Sequence, residues 1–267
     1  MLKTLEYLVF DLDGTLYQNT EFYKDYIHFL LDGTPKAKWE SALISLAADI
    51  FEGKVLPMNT FIQIRRCEAS SFSEYVAQLR RLEQKDLEYA EALQKRDMCY
   101  MGDAWAVANF LGETLGLLEN GRTEQVYRRT RQKMEKDGMK GDPRLRRMLI
   151  ELSKRFTVIL ASNSYEETAK DFLQQLGFDE VFLHAIYSAN KPFDLHKNLV
   201  REFPAVLSRP SALVSIGDHA FNDLMPIAAA GGRTVFINPY PLVKKPHCDV
   251  ELRGLNDLSD YLEGLIL

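Results

Sequence analysis

Leu8-Val9-Phe10-Asp11-Leu12-Asp13-Gly14-Thr15-Leu16 changes character halfway along. Leu5, Tyr7, Leu8, Val9 and Phe10 form a short apolar run of the length expected for a strand buried on both faces, and it stops at two carboxylates. In an open α/β sheet the carboxyl end of such a strand is where ligands bind, in the crevice beyond the strand ends. Asp11 and Asp13 are two residues apart, so continued strand geometry would put them on one face, where like charges need a cation or a shared proton. A divalent metal is the simplest answer. Gly14 permits a sharp turn, and the amides of Gly14 and Thr15 are candidates to face an anion. The bland alternative is a strand that ends in an ordinary polar turn, and the rest of the chain has to decide between the two.

With 267 residues, 46% of them apolar, the chain has material for one large domain or for two. Its net charge of −5 offers no global attraction for nucleic acid, and no segment reaches the ~18 consecutive apolar residues of a membrane span. Neither nucleic acid nor a membrane is therefore expected as a partner. The apolar block before Asp11 is too short for a secretory signal and lacks a small-residue cleavage site. Cys67, Cys99 and Cys248 are odd in number and far apart, which suits neither a disulfide framework nor a zinc site. A soluble protein of the reducing cytoplasm, with a small-molecule partner, is the expectation.

After Leu16 the periodicity becomes helical and stays so for more than a hundred residues. Phe22, Tyr26, Phe29 and Leu30, then Trp39, Leu43, Leu46, Ala47 and Ile50, fall at helical spacing and read as core stripes. Residues 72–96 read as one long amphipathic segment and 101–118 as the centre of a bundle. Residues 123–136 read as a solvent-facing helix carrying Arg128, Arg129, Arg131 and Lys133. From residue 142 the pattern alternates between strand and helix, with apolar runs at 157–161, within 181–187, at 212–216 and at 234–237. Such alternation implies right-handed crossovers and a mainly parallel sheet. The first strand has no partner in 17–141, so it must join the later sheet. The expected fold is α/β: a Rossmann-like, mainly parallel sheet core made of residues 1–16 and 142–267, interrupted by an all-helical insertion at 17–141. That insertion holds 18 basic and 19 acidic side chains, so most of the net charge of −5 falls to the core, where Asp11, Asp13, Asp218 and Asp223 would account for it.

Three further strand ends carry polar residues that a buried strand does not need. Ser162-Asn163-Ser164 follows the second core strand with a hydroxyl and amides suited to a phosphoryl oxygen, although Ser164 with Glu167 also reads as a helix-capping pair. Asn190-Lys191-Pro192 follows the third core strand and would put an ammonium near the same edge of the sheet, although one lysine by itself reads as an ordinary surface residue. Asp218 ends another strand and Asn222 stands one helical turn on, a spacing able to organise hard oxygen ligands around Mg²⁺. His219 has neither a second histidine nor a nucleophile beside it and reads as structural.

Taken in order, Asp11-x-Asp13-Gly14-Thr15, Ser162-Asn163, Lys191-Pro192 and Gly217-Asp218-x-x-x-Asn222-Asp223 resemble the four motifs of the haloacid dehalogenase superfamily. The match covers the first 16 residues and most of 142–240, and the insertion resembles that superfamily's C1 cap. The resemblance implies Asp11 as a nucleophile that forms an aspartyl-phosphate, and Asp13 as the acid that protonates the leaving oxygen and then deprotonates water. It further implies Mg²⁺ on the carboxylates of Asp11 and Asp218 and the backbone carbonyl of Asp13, with Asn222 and Asp223 ordering its waters. Gly14, Thr15, Ser162, Asn163 and Lys191 would bind the substrate phosphoryl group. Dehalogenases proper lack the acid at position 13, because halide leaves without a proton. Asp13 therefore points to a phosphatase acting on a small phosphorylated metabolite: a nucleoside monophosphate, a sugar phosphate or a small phospho-acid. A phosphomutase keeps the same acid and is the enzymatic alternative; a catalytically silent phosphate-binding or interaction protein is the other. No signal in the sequence bears on oligomeric state.

Overall fold

The computed structural model describes residues 5–19, 21–240 and 246–266. Among them are nine strands: β1 (Tyr7–Phe10), β2 (Phe61–Gln63), β3 (Gln84–Lys85), β4 (Met98–Tyr100), β5 (Thr157–Ala161), β6 (His184–Ile186), β7 (Leu213–Gly217), β8 (Arg233–Ile237) and β9 (Val250–Leu252). Six form one sheet in the order β6-β5-β1-β7-β8-β9, with every pairing parallel. The first strand does join the later ones: Tyr7 lies opposite Thr157 on one side and Leu213 on the other. Being central and covered on both faces, it has Leu8, Val9 and Phe10 almost wholly buried, which is why its sequence is uninterruptedly apolar. Strand order runs one way from β1 through β5 to β6 and the other way from β1 through β7 to β9, so the reversal point of the fold falls at β1.

The helices between these strands have locally legible ends. Asp142 caps the helix Pro143–Ser153 by accepting from the amides of Arg144 and Leu145, and Pro143 supplies a preset φ in its first turn. Leu145, Leu149 and Leu152 form its buried stripe. The helix Glu166–Leu176 stops at Gly177, which takes the left-handed conformation that releases the chain toward β6. Val9, Ile159, Ile186, Leu199, Leu213 and Ile227 pack into one apolar cluster of the core.

Two compact units partition the chain: Met1–Gln18, Gly138–Pro239 and His247–Leu267 form one, and Asn19–Asp137 with Tyr240–Pro246 form the other. The expected boundaries at 16 and 142 therefore move by a few residues. Tyr240, expected in the core, stacks on Phe51 of the second unit with ring centroids 5.3 Å apart.

The second unit is mainly helical, but it is not all-helical. β2 pairs antiparallel with β3 and with β4, Phe61 facing both Lys85 and Tyr100. The helix expected across 72–96 covers only Phe72–Leu79 before the chain turns into β3, so pairing with Phe61 and Ile62 overrides helical propensity there. Strands of two and three residues are too short to show alternation in sequence. The helix Arg122–Asp137 also differs from a purely solvent-facing one. Arg131 turns inward, 5% exposed, its guanidinium 4.6 Å from the Trp105 ring. Arg128, Arg129 and Lys133 pair at the surface with Glu124, Asp32 and Asp137. Among the described residues no helix is long and apolar enough to cross a membrane.

Candidate active site

Strand order determines which side chains converge. Asp11 follows β1 directly, its amide still bonded to the Ile216 carbonyl at 3.0 Å, while Ser162 follows β5 and Asp218 follows β7 on either side. Gly14, at φ +77°, turns the chain out of the strand. A Cβ there would fall 1.9 Å from Asp218 Oδ2, so Gly14 both makes the turn and leaves room for a carboxylate. Gly217, the last residue of β7, likewise leaves room for Asp223, whose Oδ2 would lie 2.3 Å from an added Cβ. One carboxylate oxygen from each of Asp11, Asp218 and Asp223 lies within 4.8 Å of the other two.

Lys191 enters from the loop after β6. Its Nζ donates to Asp11 Oδ1 and to Asp223 Oδ1, each at 2.6 Å, and its side chain is 4% exposed. Asn163 holds that loop in place: its carboxamide accepts from the Lys191 amide at 2.7 Å and donates to the Lys191 carbonyl at 3.1 Å. The Asn163 side chain thus positions the lysine instead of turning toward a ligand. Asp223, expected to order waters of the metal, accepts from Lys191 at Oδ1 and from the His219 amide at Oδ2, at 3.1 Å. The segment Ala220–Leu224 is a π-turn, not the α-helical turn read from the spacing, and Ser215 steadies it by donating to the Asp223 carbonyl at 2.7 Å. His219 Nδ1 accepts from the Asn222 amide at 3.2 Å, a structural role. The Asn222 carboxamide is half-buried and makes no hydrogen bond among the described residues.

Asp13 is set apart from the other acids by its donors. Tyr17 donates its phenol to Oδ1, and Ser164 donates its hydroxyl to Oδ2 at 3.1 Å. Ser164 therefore does not cap the following helix, whose N-cap position is Tyr165 with no side-chain hydrogen bond. Ser162 Oγ accepts from the Ser164 amide at 3.0 Å. The Thr15 hydroxyl is fully buried without a partner among the described residues. Tyr17 and Ser164 are the two site residues that sequence reasoning missed. Tyr17 was given no role in the sequence and Ser164 looked like a cap, and neither carried a signal that its partner was Asp13.

The Asp11 carboxyl is pushed up to about 7: burial raises it most, Lys191 pulls it back, and Asp223 and Asp13 raise it further. Burial lowers the Lys191 ammonium, but Asp11 and Asp223 more than offset this, so it is held above its ordinary value and stays charged. Four carboxylates against one ammonium leave a buried excess of negative charge, and the donors are all hard oxygens. That set fits a divalent cation of the Mg²⁺ type, which would favour the ionised form of Asp11.

A family profile described as haloacid dehalogenase-like hydrolase matches residues 5–231. Among solved structures, a putative HAD-hydrolase from Bacillus subtilis bound to magnesium is similar at 17% identity and a TM-score of 0.53, covering 98% of this chain and 100% of that one. An L-2-haloacid dehalogenase is similar at 13% identity and a TM-score of 0.52, with coverage of 98% and 100%. A haloacid dehalogenase-like family hydrolase from Xanthomonas campestris is similar at 14% identity and a TM-score of 0.51, with coverage of 98% and 92%. No curated protein matches the chain. At these identities the structural likenesses speak to the fold alone.

Proposed function

The chain belongs to the haloacid dehalogenase-like hydrolase family, and from that premise we propose that it is a Mg²⁺-dependent phosphatase of a small phosphorylated metabolite, working through an aspartyl-phosphate on Asp11. The observation that carries this reading is the second acid: Asp13, two residues beyond a lysine-bound Asp11, has both oxygens engaged by hydroxyl donors. Halide departs without a proton and gives such a group nothing to do; an alkoxide leaving from phosphorus needs one.

In the first half-reaction an Asp11 oxygen attacks phosphorus as the bond to the leaving oxygen breaks, and Asp13 gives that oxygen its proton. In the second, Asp13 takes a proton from water as the water oxygen displaces Asp11. Lys191 holds Asp11 in place and, with the Ser162 hydroxyl and the amides of Gly14 and Thr15, faces the charge on the phosphoryl oxygens. Bound Mg²⁺ would supply fixed positive charge there, held by Asp11, Asp218 and the main-chain carbonyl of Asp13. The magnesium bound to the Bacillus subtilis relative supports that part of the reading. Selection of the leaving group is assigned to the inserted unit, acting as a C1-type cap. Cys67, Cys99 and Cys248 form no disulfide among the described residues, which suits a reducing cytoplasm.

The test is phosphate release from p-nitrophenyl phosphate with Mg²⁺ and with EDTA, for the wild type and for Asp11→Asn. Turnover that needs the metal and disappears in the variant, with the fold intact by circular dichroism, is expected. Turnover retained by Asp11→Asn would refute the nucleophile assignment. A panel of phosphorylated metabolites then identifies the ester.

A further inference from the structure

Tyr17 has no part in the chemistry just described, yet it is placed where that chemistry needs control. Its ring is 6% exposed and meets Phe172 edge-on, with centroids 5.9 Å apart and planes at 81°. A strand-like bridge ties its backbone to that of Asp13. A phenol carried on a buried ring, anchored at both ends, has little freedom to leave the oxygen it touches, and that oxygen is Asp13 Oδ1. The other donor differs in kind. Ser164 reaches Oδ2 at 3.1 Å, long for a hydroxyl on a carboxylate, from a side chain with a single rotatable bond to its oxygen.

The geometry points to Tyr17 as a positioning residue that chooses which oxygen of Asp13 carries the transferred proton. This rests on the phosphatase reading above and deepens it. With Oδ1 held as the acceptor of the phenol, the proton resides on Oδ2, and the loose Ser164 contact is the one that yields to substrate. The Oδ2–H bond breaks as the leaving oxygen takes the proton and its bond to phosphorus opens. The Oδ2–H bond re-forms with a proton from water as the water oxygen bonds to phosphorus and Asp11 is released. Tyr17 keeps its own proton throughout. Without the phenol the carboxyl group can rotate and present either oxygen, and proton delivery loses alignment while metal and phosphoryl binding are untouched.

Leaving groups of different acidity read this out. Phenyl phosphate and p-nitrophenyl phosphate are nearly the same size, but only phenoxide needs substantial proton help to depart. For Tyr17→Phe, kcat/KM on phenyl phosphate is expected to fall on the order of tenfold further than on p-nitrophenyl phosphate, part of the ~10²–10⁴ a general acid contributes. Ser164→Ala is expected to change that ratio much less. Adding Tyr17→Phe to an Asp13→Asn background should leave the ratio where Asp13→Asn alone put it. An equal loss on both esters would mark Tyr17 as merely structural, and no loss on either would mark it as irrelevant. Either result overturns the inference, as would a Ser164→Ala effect equal to that of Tyr17→Phe. A wild type that hydrolyses neither ester would instead sink the phosphatase reading, and this inference would fall with it.

Discussion

Burial raises the Asp11 carboxyl more than its ion pair with Lys191 lowers it. Its carboxyl is lifted from 3.8 to about 7. A carboxyl whose folded value exceeds its unfolded one binds more protons in the folded state between the two, so its contribution to stability falls as pH rises through that window. Below about 4 the penalty is absent, and above about 7 it is fully developed. In metal-free protein, urea unfolding should therefore show the wild type losing stability relative to Asp11→Asn between pH 4.5 and 8; a constant or growing advantage would contradict the assignment. Because a metal takes the ionised form, Mg²⁺ should bind more tightly at pH 8 than at pH 6, as titration calorimetry would show. Asp13 operates on the reaction instead. Asp13→Ala should lower kcat by about 10²-fold or more in steady-state kinetics.

At the scale of elements, the site depends on turns that admit carboxylates. Gly14→Ala places a methyl group 1.9 Å from Asp218 Oδ2 at φ +77°, whereas Gly33→Ala meets nothing within 4 Å at a similar φ of +70°. Both substitutions carry the left-handed backbone penalty of roughly 1–2 kcal/mol. Only Gly14→Ala should also displace Asp218 and cut Mg²⁺-dependent turnover. Urea midpoints that drop for both variants, with kinetics that fall for one, would verify this; equal kinetics would refute it. The core strands were readable for a physical reason: parallel strands buried on two faces need unbroken apolar runs, as at β1, β5 and β7. β9 and the small sheet of the second unit were not, because strands of two or three residues leave no period to detect.

For the molecule as a whole, a buried carboxylate cluster relieved by a cation predicts that metal and folding are linked. At a free Mg²⁺ concentration of one hundred times its Kd, the protein should gain about 2.7 kcal/mol over the EDTA-treated form. Scanning calorimetry across a Mg²⁺ series reads this as a rising melting temperature, and a melting temperature insensitive to Mg²⁺ would argue against the cluster as its site. The change from helical to alternating pattern near residue 142 lies a few residues from Asp137, where the long segment of the second unit ends. The placing of Tyr240 against Phe51 was not legible in the sequence, since that ring contact spans nearly two hundred positions of chain.

Local pattern alone determined where strands end and which end carries acids, because burial and turn chemistry act on neighbouring residues. It therefore put Asp11 and Asp218 at strand ends, whereas Lys191 and Asp223 were drawn in by the resemblance to the haloacid dehalogenase motifs. Which donor serves which acid was decided only by tertiary structure. Ser164 meets Asp13 across 151 positions and Lys191 meets Asp11 across 180, distances over which no periodicity or spacing survives. Hydrogen bonds of that kind are set by strand order, and strand order exists only once the sheet has closed around β1.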